Sequence, residues 1–338
     1  MRRIFLLLAA GTTLLLAAGR TSAAEEPAVE SAVMAGEGGA PGGNILDYQF
    51  RDVPGTPGPS PTMTDERESG RFVVSKTDTD TWSVNERLGL FHVTGLGPIP
   101  GTAETMPESL WSVNFGGGYS HSLGGGKSWG LNLGLGSDSD ELFHSIHETT
   151  IRAGANYRLP SGVHNAWLFS LQYSNNRHFL NGVPLPGVGY YFEALDRRLQ
   201  GLVGFPYLAL RYRPTEDWAG RFSLFGPRNV SAEISRRVAG PVHVYTAFLW
   251  GSQEWEIADR QDTSNRLFFD RKRAALGVRS PLPHGLALDV SGGREFDRRF
   301  FENDSSSYNT VPTIGLAPAW YGETRLSWRF GATPSEKP

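Results

Sequence analysis

Residues 321–330 read YGETRLSWRF. Thr324, Leu326, Trp328 and Phe330 alternate with Glu323, Arg325, Ser327 and Arg329, so a strand here has one wholly apolar face and one face carrying formal charge. A soluble sandwich also alternates, with its polar face towards water, so this stretch alone leaves two fold classes open. The rest of the chain separates them.

The same period of two recurs upstream. Residues 111–123 set Trp111, Val113, Phe115, Tyr119 and Leu123 against Ser112, Asn114, Gly116, Gly118, Ser120 and Ser122. Trp129, Leu131, Leu133 and Leu135 oppose Ser128, Gly130, Asn132 and Gly134, and Ile151, Ala153, Ala155, Tyr157 and Leu159 oppose Thr150, Arg152, Gly154, Asn156 and Arg158. In 166–174 the row Trp167, Phe169, Leu171 and Tyr173 is broken only by Leu168 on the other parity. Leu286, Leu288 and Val290 oppose Asp289, Ser291, Glu295 and Asp297. Trp82, Trp111, Trp129, Trp167, Trp250 and Trp328 lie towards the ends of these segments, where the aromatic girdles of a membrane barrel sit. An open sheet edge in lipid would leave N–H and C=O groups unpaired, so spanning strands must close on themselves. The pattern predicts an all-β chain, a transmembrane antiparallel β-barrel of about 12 strands (range 10–14) over residues 70–330. Short turns are expected at 123–127 and 159–162, and longer connections around 94–108, 176–186, 257–265 and 301–319.

One stretch invites another reading. Residues 116–128, GGGYSHSLGGGKS, end like a phosphate-binding loop, but the first glycine that motif requires falls on His121. Gly124, Gly125 and Gly126 instead suit the positive φ angles of a tight hairpin, with Gly116 and Gly118 making room on the polar row.

The N-terminus, MRRIFLLLAAGTTLLLAAGRTSAA, has paired arginines, an apolar run and small residues at a cleavage position, and reads as a signal peptide over 1–24. Export by the general secretion pathway follows. Residues 25–69 are rich in Pro, Gly, Ser and acidic residues and read as a disordered periplasmic leader, broken by the β-like patch Ile45–Phe50. Residues 331–338 form a flexible tail. The absence of cysteine excludes a disulfide framework and a thiol nucleophile. Three of the 32 basic residues lie in the signal peptide, leaving 29 against 35 acidic ones and a formal charge of −6, no footprint for nucleic acid.

The closing segment resembles the last strand of bacterial outer-membrane barrels, whose terminal aromatic residue is read by the barrel-assembly machinery. Phe330 holds that position, although GATPSEKP follows it. Over residues 85–330, the succession of GLNLGLGSDSD, NGVPLPGVGYYFEALDRRLQGLVGFPYLALRYRPTEDW and SLFGPRNVSAEISRRV, with Pro184, Pro186, Gly187, Pro206, Pro214 and Pro227 as landmarks, looks like the uncharacterised bacterial barrel family domain of unknown function 6268. That resemblance implies an outer-membrane barrel in contact with the lipid bilayer and implies no chemistry.

Candidate chemistry is sparse. His144, His147 and Glu148 fit neither order of the zinc-hydrolase motifs, and on a strand His147 opposes the other two. The acidic loop Asp138, Asp140 and Glu141 lacks calcium-loop spacing. No cofactor, metal site or catalytic group is assigned. The charged members of the polar rows carry more: Arg152, Arg158, Arg211, Arg213, Glu233, Arg237, Asp289, Glu295, Asp297, Glu323, Arg325 and Arg329 become lumen-lining candidates by parity. Mixed signs favour salt bridges across a narrow or filled lumen over a wide selective pore. The functional expectation is a narrow passive channel for small solutes, or a structural barrel. The alternatives are a barrel hydrolase acting on lipid or peptide and a soluble secreted β-sandwich.

Overall fold

The computed structural model describes residues 44–55, 61–177, 180–226, 229–260, 263–304 and 311–331. The expected signal peptide, the leader up to residue 43 and the tail beyond residue 331 lie outside these residues.

Period-two patterning produces β-strands throughout: β1 (Asn44–Val53), β2 (Thr62–Lys76), β3 (Asp80–Thr94), β4 (Ser109–Gly124), β5 (Lys127–Ser139) and β6 (Thr150–Pro160). They are followed by β7 (Ala166–Ser174), β8 (Leu185–Ala194), β9 (Leu199–Phe205), β10 (Tyr207–Tyr212), β11 (Trp218–Phe225) and β12 (Asn229–Ala239). The series ends with β13 (Val242–Trp255), β14 (Arg266–Pro281), β15 (Leu286–Asn303), β16 (Thr313–Leu316) and β17 (Ala319–Phe330). Each strand pairs antiparallel with its sequence neighbour, except that β16 and β17 lie end to end along β15 and act as one stave. The ring closes where β1 pairs with β17, from Asn44 opposite Phe330 to Asp52 opposite Gly322. The result is a closed antiparallel barrel of 16 staves.

Two expectations are corrected. The barrel begins at Asn44, because β1 and β2 occupy most of what reads as leader between residues 44 and 69. The stave count exceeds twelve for that reason and because β9, β10 and β11 have only 7, 6 and 8 residues, shorter than the segment length sought in the sequence. The Gly124–Gly126 hairpin is present, with φ of 77°, 59° and 75°.

An even stave number places both ends of the barrel chain at one rim. The connections at that rim are short: 77–79, 125–126, 161–165, 195–198, 213–217, 240–241 and 282–285. The opposite rim carries the long ones, 54–61, 95–108, 140–149, 175–184, 256–265 and 304–312. In membrane barrels the short turns face the periplasm and the long loops the exterior.

The inner face follows from contacts between staves that are not neighbours. Asp65 on β2 meets Arg271 on β14, with β1, β17 and β15 between them around the ring, so both side chains point inward. Burial then runs opposite to a soluble core: Glu295 and Arg51 are 0% and 1% exposed, while Leu133 and Leu276 on the outer wall are 68% and 71% exposed. Such a wall suits lipid. Trp320 and Trp328 bracket the outer face of β17, eight residues apart. At roughly 3.3 Å per residue and a tilt of about 40°, they span about 20 Å of bilayer.

One sector departs from this pattern. Register places Glu66 and Glu68 of β2 and Glu86 of β3 on the outer face, opposite Phe50, Tyr48 and Gly70 respectively. Glu86 lies over Gly70, where a methyl group would strike its carboxylate and the ring of Phe72. It is four residues along β3 from the interfacial Trp82 and therefore about 10 Å inside the apolar band by the same geometry. A carboxylate at that depth opposes insertion. Glu86→Leu is expected to stabilise the barrel in phospholipid vesicles by about 1 kcal/mol, measured by urea unfolding followed through tryptophan fluorescence.

Candidate lumen and outer mouth

Inside the wall, charge is gathered into one network. Asp65 accepts from Arg67 through two bonds, Nε to Oδ1 at 2.8 Å and Nη2 to Oδ2 at 2.9 Å, and from Arg271 at 3.1 Å. It also pairs with Arg51. Glu295 stands 3.7 Å from Arg51, 3.7 Å from Arg271 and 3.3 Å from Arg298. Glu323 joins from β17, 2.9 Å from Arg273 and 3.7 Å from Arg51. A second group lies nearer the short-turn rim, where Arg279 bonds Asp289 at 2.7 Å and Glu233 at 3.2 Å, and Tyr245 donates to Asp289 at 2.7 Å.

Above the first network, towards the long loops, the interior is apolar. Phe91 of β3 stacks on Trp255 of β13 at 5.3 Å, and Phe269 of β14 stacks on Phe300 of β15 at 4.4 Å. Val53, Met63, Leu110 and Leu267 pack with them, and Ile99 and Met106 enter from the 95–108 loop. Arg271 sits over the Phe269 ring at 5.0 Å and joins the two layers. A smaller apolar group, Tyr191, Leu202 and Ala209, lines the inside of the short staves, and Leu168 packs against it. That contact accounts for the break in the β7 alternation.

The outer mouth is crossed twice. Ser139, at the end of β5, forms a parallel bridge with Glu256, just beyond β13. These strands are eight staves apart in a ring of sixteen and therefore diametrically opposed. The Glu256 amide donates to Asp138 O at 2.8 Å, and the Ala258 amide to Asp140 Oδ1 at 2.9 Å. His144 completes this crossing, with Nδ1 3.0 Å from Glu141 and Nε2 3.1 Å from Asp259. The second crossing runs from β14 to β7: Arg266 bonds Glu256 at 2.5 Å and also reaches Asn176. Arg260 ties the same 256–265 segment to Glu104 at 3.1 Å and to Glu302.

These contacts place the residues singled out in the sequence. Arg152 reaches Asn114 and, at 3.5 Å, Asp138, while Arg158 lies over the Tyr191 ring at 5.7 Å. Arg211 is buried opposite Arg221, Arg325 pairs with Asp47 at 3.2 Å, and Arg237 pairs with Asp217 at the short-turn rim. Arg329 is exposed near that rim, one residue from the end of β17 along the Arg325 row. Two assignments are corrected. Arg213 lies past the end of β10, exposed in a turn. Asp297 has φ of 49° beside a register shift between Asp270 and Lys272, and it bonds Lys272 at 2.6 Å, which lies over Trp250 on the outer wall. Parity fails at a bulge because the extra residue resets the alternation.

The acidic loop spends its carboxylates on separate partners: Asp138 on Arg152, Asp140 on the Ala258 amide and Glu141 on His144. Both ring nitrogens of His144 face carboxylates, and Glu148 instead accepts from Ser145 at 2.7 Å. Among the described residues no group of three or more such side chains is arranged to hold a metal ion.

Arg51, Asp65 and Arg67 were hidden inside the apparent leader. The signal for β1 was available, since Asp47, Gln49 and Arg51 alternate with Leu46, Tyr48 and Phe50. The signal for β2 was not, because its outer row is Thr64, Glu66, Glu68 and Gly70. Arg271, Arg273 and Arg298 also went unmarked.

No protein-family pattern matches the sequence, and no curated protein matches it. Among solved structures, the chain is similar to an outer membrane channel from Pseudomonas putida F1 at 11% identity, covering 86% of this chain and 96% of that one, with a TM-score of 0.36. It is similar to the Pseudomonas putida toluene transporter TodX at 11% identity, with 86% and 90% covered and a TM-score of 0.33. The β domain of the Bordetella autotransporter BrkA matches at 12% identity, with 86% and 100% covered and a TM-score of 0.31. At these scores the likenesses carry no weight for function, and the fold stands on the closed pairing itself.

Asp65 faces three guanidinium groups in a buried site, so neutralising it strands their charge. Asp65→Asn is expected to destabilise the barrel by about 3–5 kcal/mol, measured by denaturant unfolding in vesicles.

Proposed function

We propose that this chain is an outer-membrane barrel that acts as a narrow passive channel for small solutes, held shut at its outer mouth. The observation that carries the reading is the double crossing of the mouth above an aromatic layer that spans from β3 to β13 and β14. A structural barrel has no use for polar crossings that can part, whereas a channel does. The conducting route runs along the inner rows of β5–β7, a polar strip where the amides of Asn114, Asn132, Asn156 and Gln172 lie against Gly130, Gly136 and Gly154 in the places a Cβ would take. In this reading the N-terminal segment directs export by the general secretion pathway. Phe330, packed on Trp328 at 4.3 Å and Phe72 at 6.1 Å, is the residue read by the assembly machinery.

Planar-bilayer recording of the purified chain tests the proposal. The wild type is expected to show small, infrequent openings, and the double variant Phe91→Ala, Trp255→Ala larger and more frequent ones. Equal, negligible conductance in both would sink the channel reading and leave a structural barrel.

The mouth also carries a pH dependence. Burial raises the Glu256 carboxyl to about 7, against the opposing pull of Arg266 and with a smaller push from Glu254. His144 is raised by Asp259 first, then by Glu141 and Glu148. Both groups therefore bind protons more tightly in the docked mouth than when released. Their contribution to docking is present at low pH and is lost as pH rises through about 7 for Glu256 and through the raised value for His144. Glu148 is held below the usual carboxylate range by Ser145, so it titrates beneath this window. Open probability is expected to rise between pH 5 and pH 8, and His144→Gln with Glu256→Gln is expected to flatten the profile.

A further inference from the structure

We propose that the outer mouth holds a binding pocket for a small, neutral, hydroxyl-rich solute of monosaccharide size. A cavity of about 400 Å³ opens beside the Arg266–Asn176 crossing, lined by Ile146 and His147, by Asn175 to Arg177 and Asn181, and by Glu256, Thr263, Ser264, Arg266 and Asp304. That volume lies within the range of small-molecule sites. Its chemistry differs from the aromatic layer beneath, since Ile146 is the one aliphatic side chain in the described lining.

The floor is fixed by bonds already made. Asn175 accepts from the Ile151 amide at 2.6 Å and donates to Thr149 O at 3.0 Å. Asn176 donates to Thr150 Oγ1 at 3.1 Å and accepts from Arg266. Arg266 and Glu256, each 6% exposed, are bonded to one another. The pocket thus has a hydrogen-bonded polar base.

The rim is different. The His147 ring, the Thr263 hydroxyl, the Asp304 carboxylate and the Asn181 amide nitrogen line the cavity, and no described residue engages those groups. They offer donors and acceptors together, at several points around one volume. An ion would meet both signs, and an apolar molecule would strand the polar lining. A neutral polyol satisfies both kinds of group at once, since each hydroxyl donates and accepts.

Isothermal titration calorimetry on the full purified barrel, in an amine-oxide detergent that carries no sugar headgroup, tests this without reference to conductance. Glucose, galactose and ribose are the probes, with gluconate and glucosamine as charged comparators. At least one neutral sugar is expected to bind saturably, more tightly than either charged comparator, and to weaken about tenfold or more in Asn181→Ala and Asp304→Ala. Those rim positions are exposed, and heat-modifiable migration on a gel verifies that each variant remains folded. Absence of saturable binding by all three sugars would overturn the proposal, as would binding that both variants leave unchanged or a clear preference for gluconate or glucosamine. The channel reading can fail in the bilayer while sugar binding persists, and the reverse holds equally.

Discussion

The pairing of β1 with β17 is the contact on which the rest of the molecule depends. Nine consecutive residue pairs, from Asn44–Phe330 to Asp52–Gly322, remove the two sheet edges that lipid cannot satisfy. Closure also defines an inside. Once the wall is continuous, Arg51 on β1 and Glu323 on β17 are carried inward together, and the arginines of β14 and β15 have nowhere to go except towards the carboxylates of β2, β15 and β17. The charged network therefore follows from closure. In isolation its members would be costly to bury, and pairing offsets that cost without making the network a large net source of stability. Its specific contribution is register: shifting any of these staves by one residue would turn its charges into the bilayer and its apolar row into the lumen.

The outer half of the barrel adds a second kind of order. The aromatic layer is held by strands up to six staves apart, and the 256–265 connection is fastened to β5, to the loop after β7, to the 95–108 loop and to Glu302. Phe91, Trp255, Phe269 and Phe300 supply a dry interface that polar crossings alone would not. The crossings are hydrogen bonds and ion pairs at a wet rim, weak singly and reversible. A packed layer beneath a reversible fastening is a physical arrangement that can open without unfolding the wall.

Much of the wall was legible in the sequence because alternation is a strong signal wherever one face meets lipid. The alternating segments read at 111–123, 128–135, 150–159, 166–174 and 321–330 all lie in strands, and the Gly124–Gly126 turn lies where its φ angles are needed. The failures have separate causes. β2 was lost because glutamates stand on its outer face, so the apolar row that marks a membrane strand is missing. β9, β10 and β11 were too short to register as separate spans. Arg271 and Arg298 lie within a register shift, and parity carried across such a point misplaces the residues beyond it, as it did for Asp297. The mouth was illegible in principle, because the meeting of Ser139 with Glu256 depends on ring size, and neither stretch carries a mark of the other.

If the mouth is bridged across its full diameter, a disulfide trap can lock it. The chain contains no cysteine, so a pair introduced by Ser139→Cys and Glu256→Cys is the sole thiol pair present. Mild oxidation of the folded protein in vesicles, read by mass spectrometry of the intact chain, should give near-complete intramolecular crosslinking with the barrel still heat-modifiable. Thiols that stay free, or that link only between molecules, would contradict a bridged mouth.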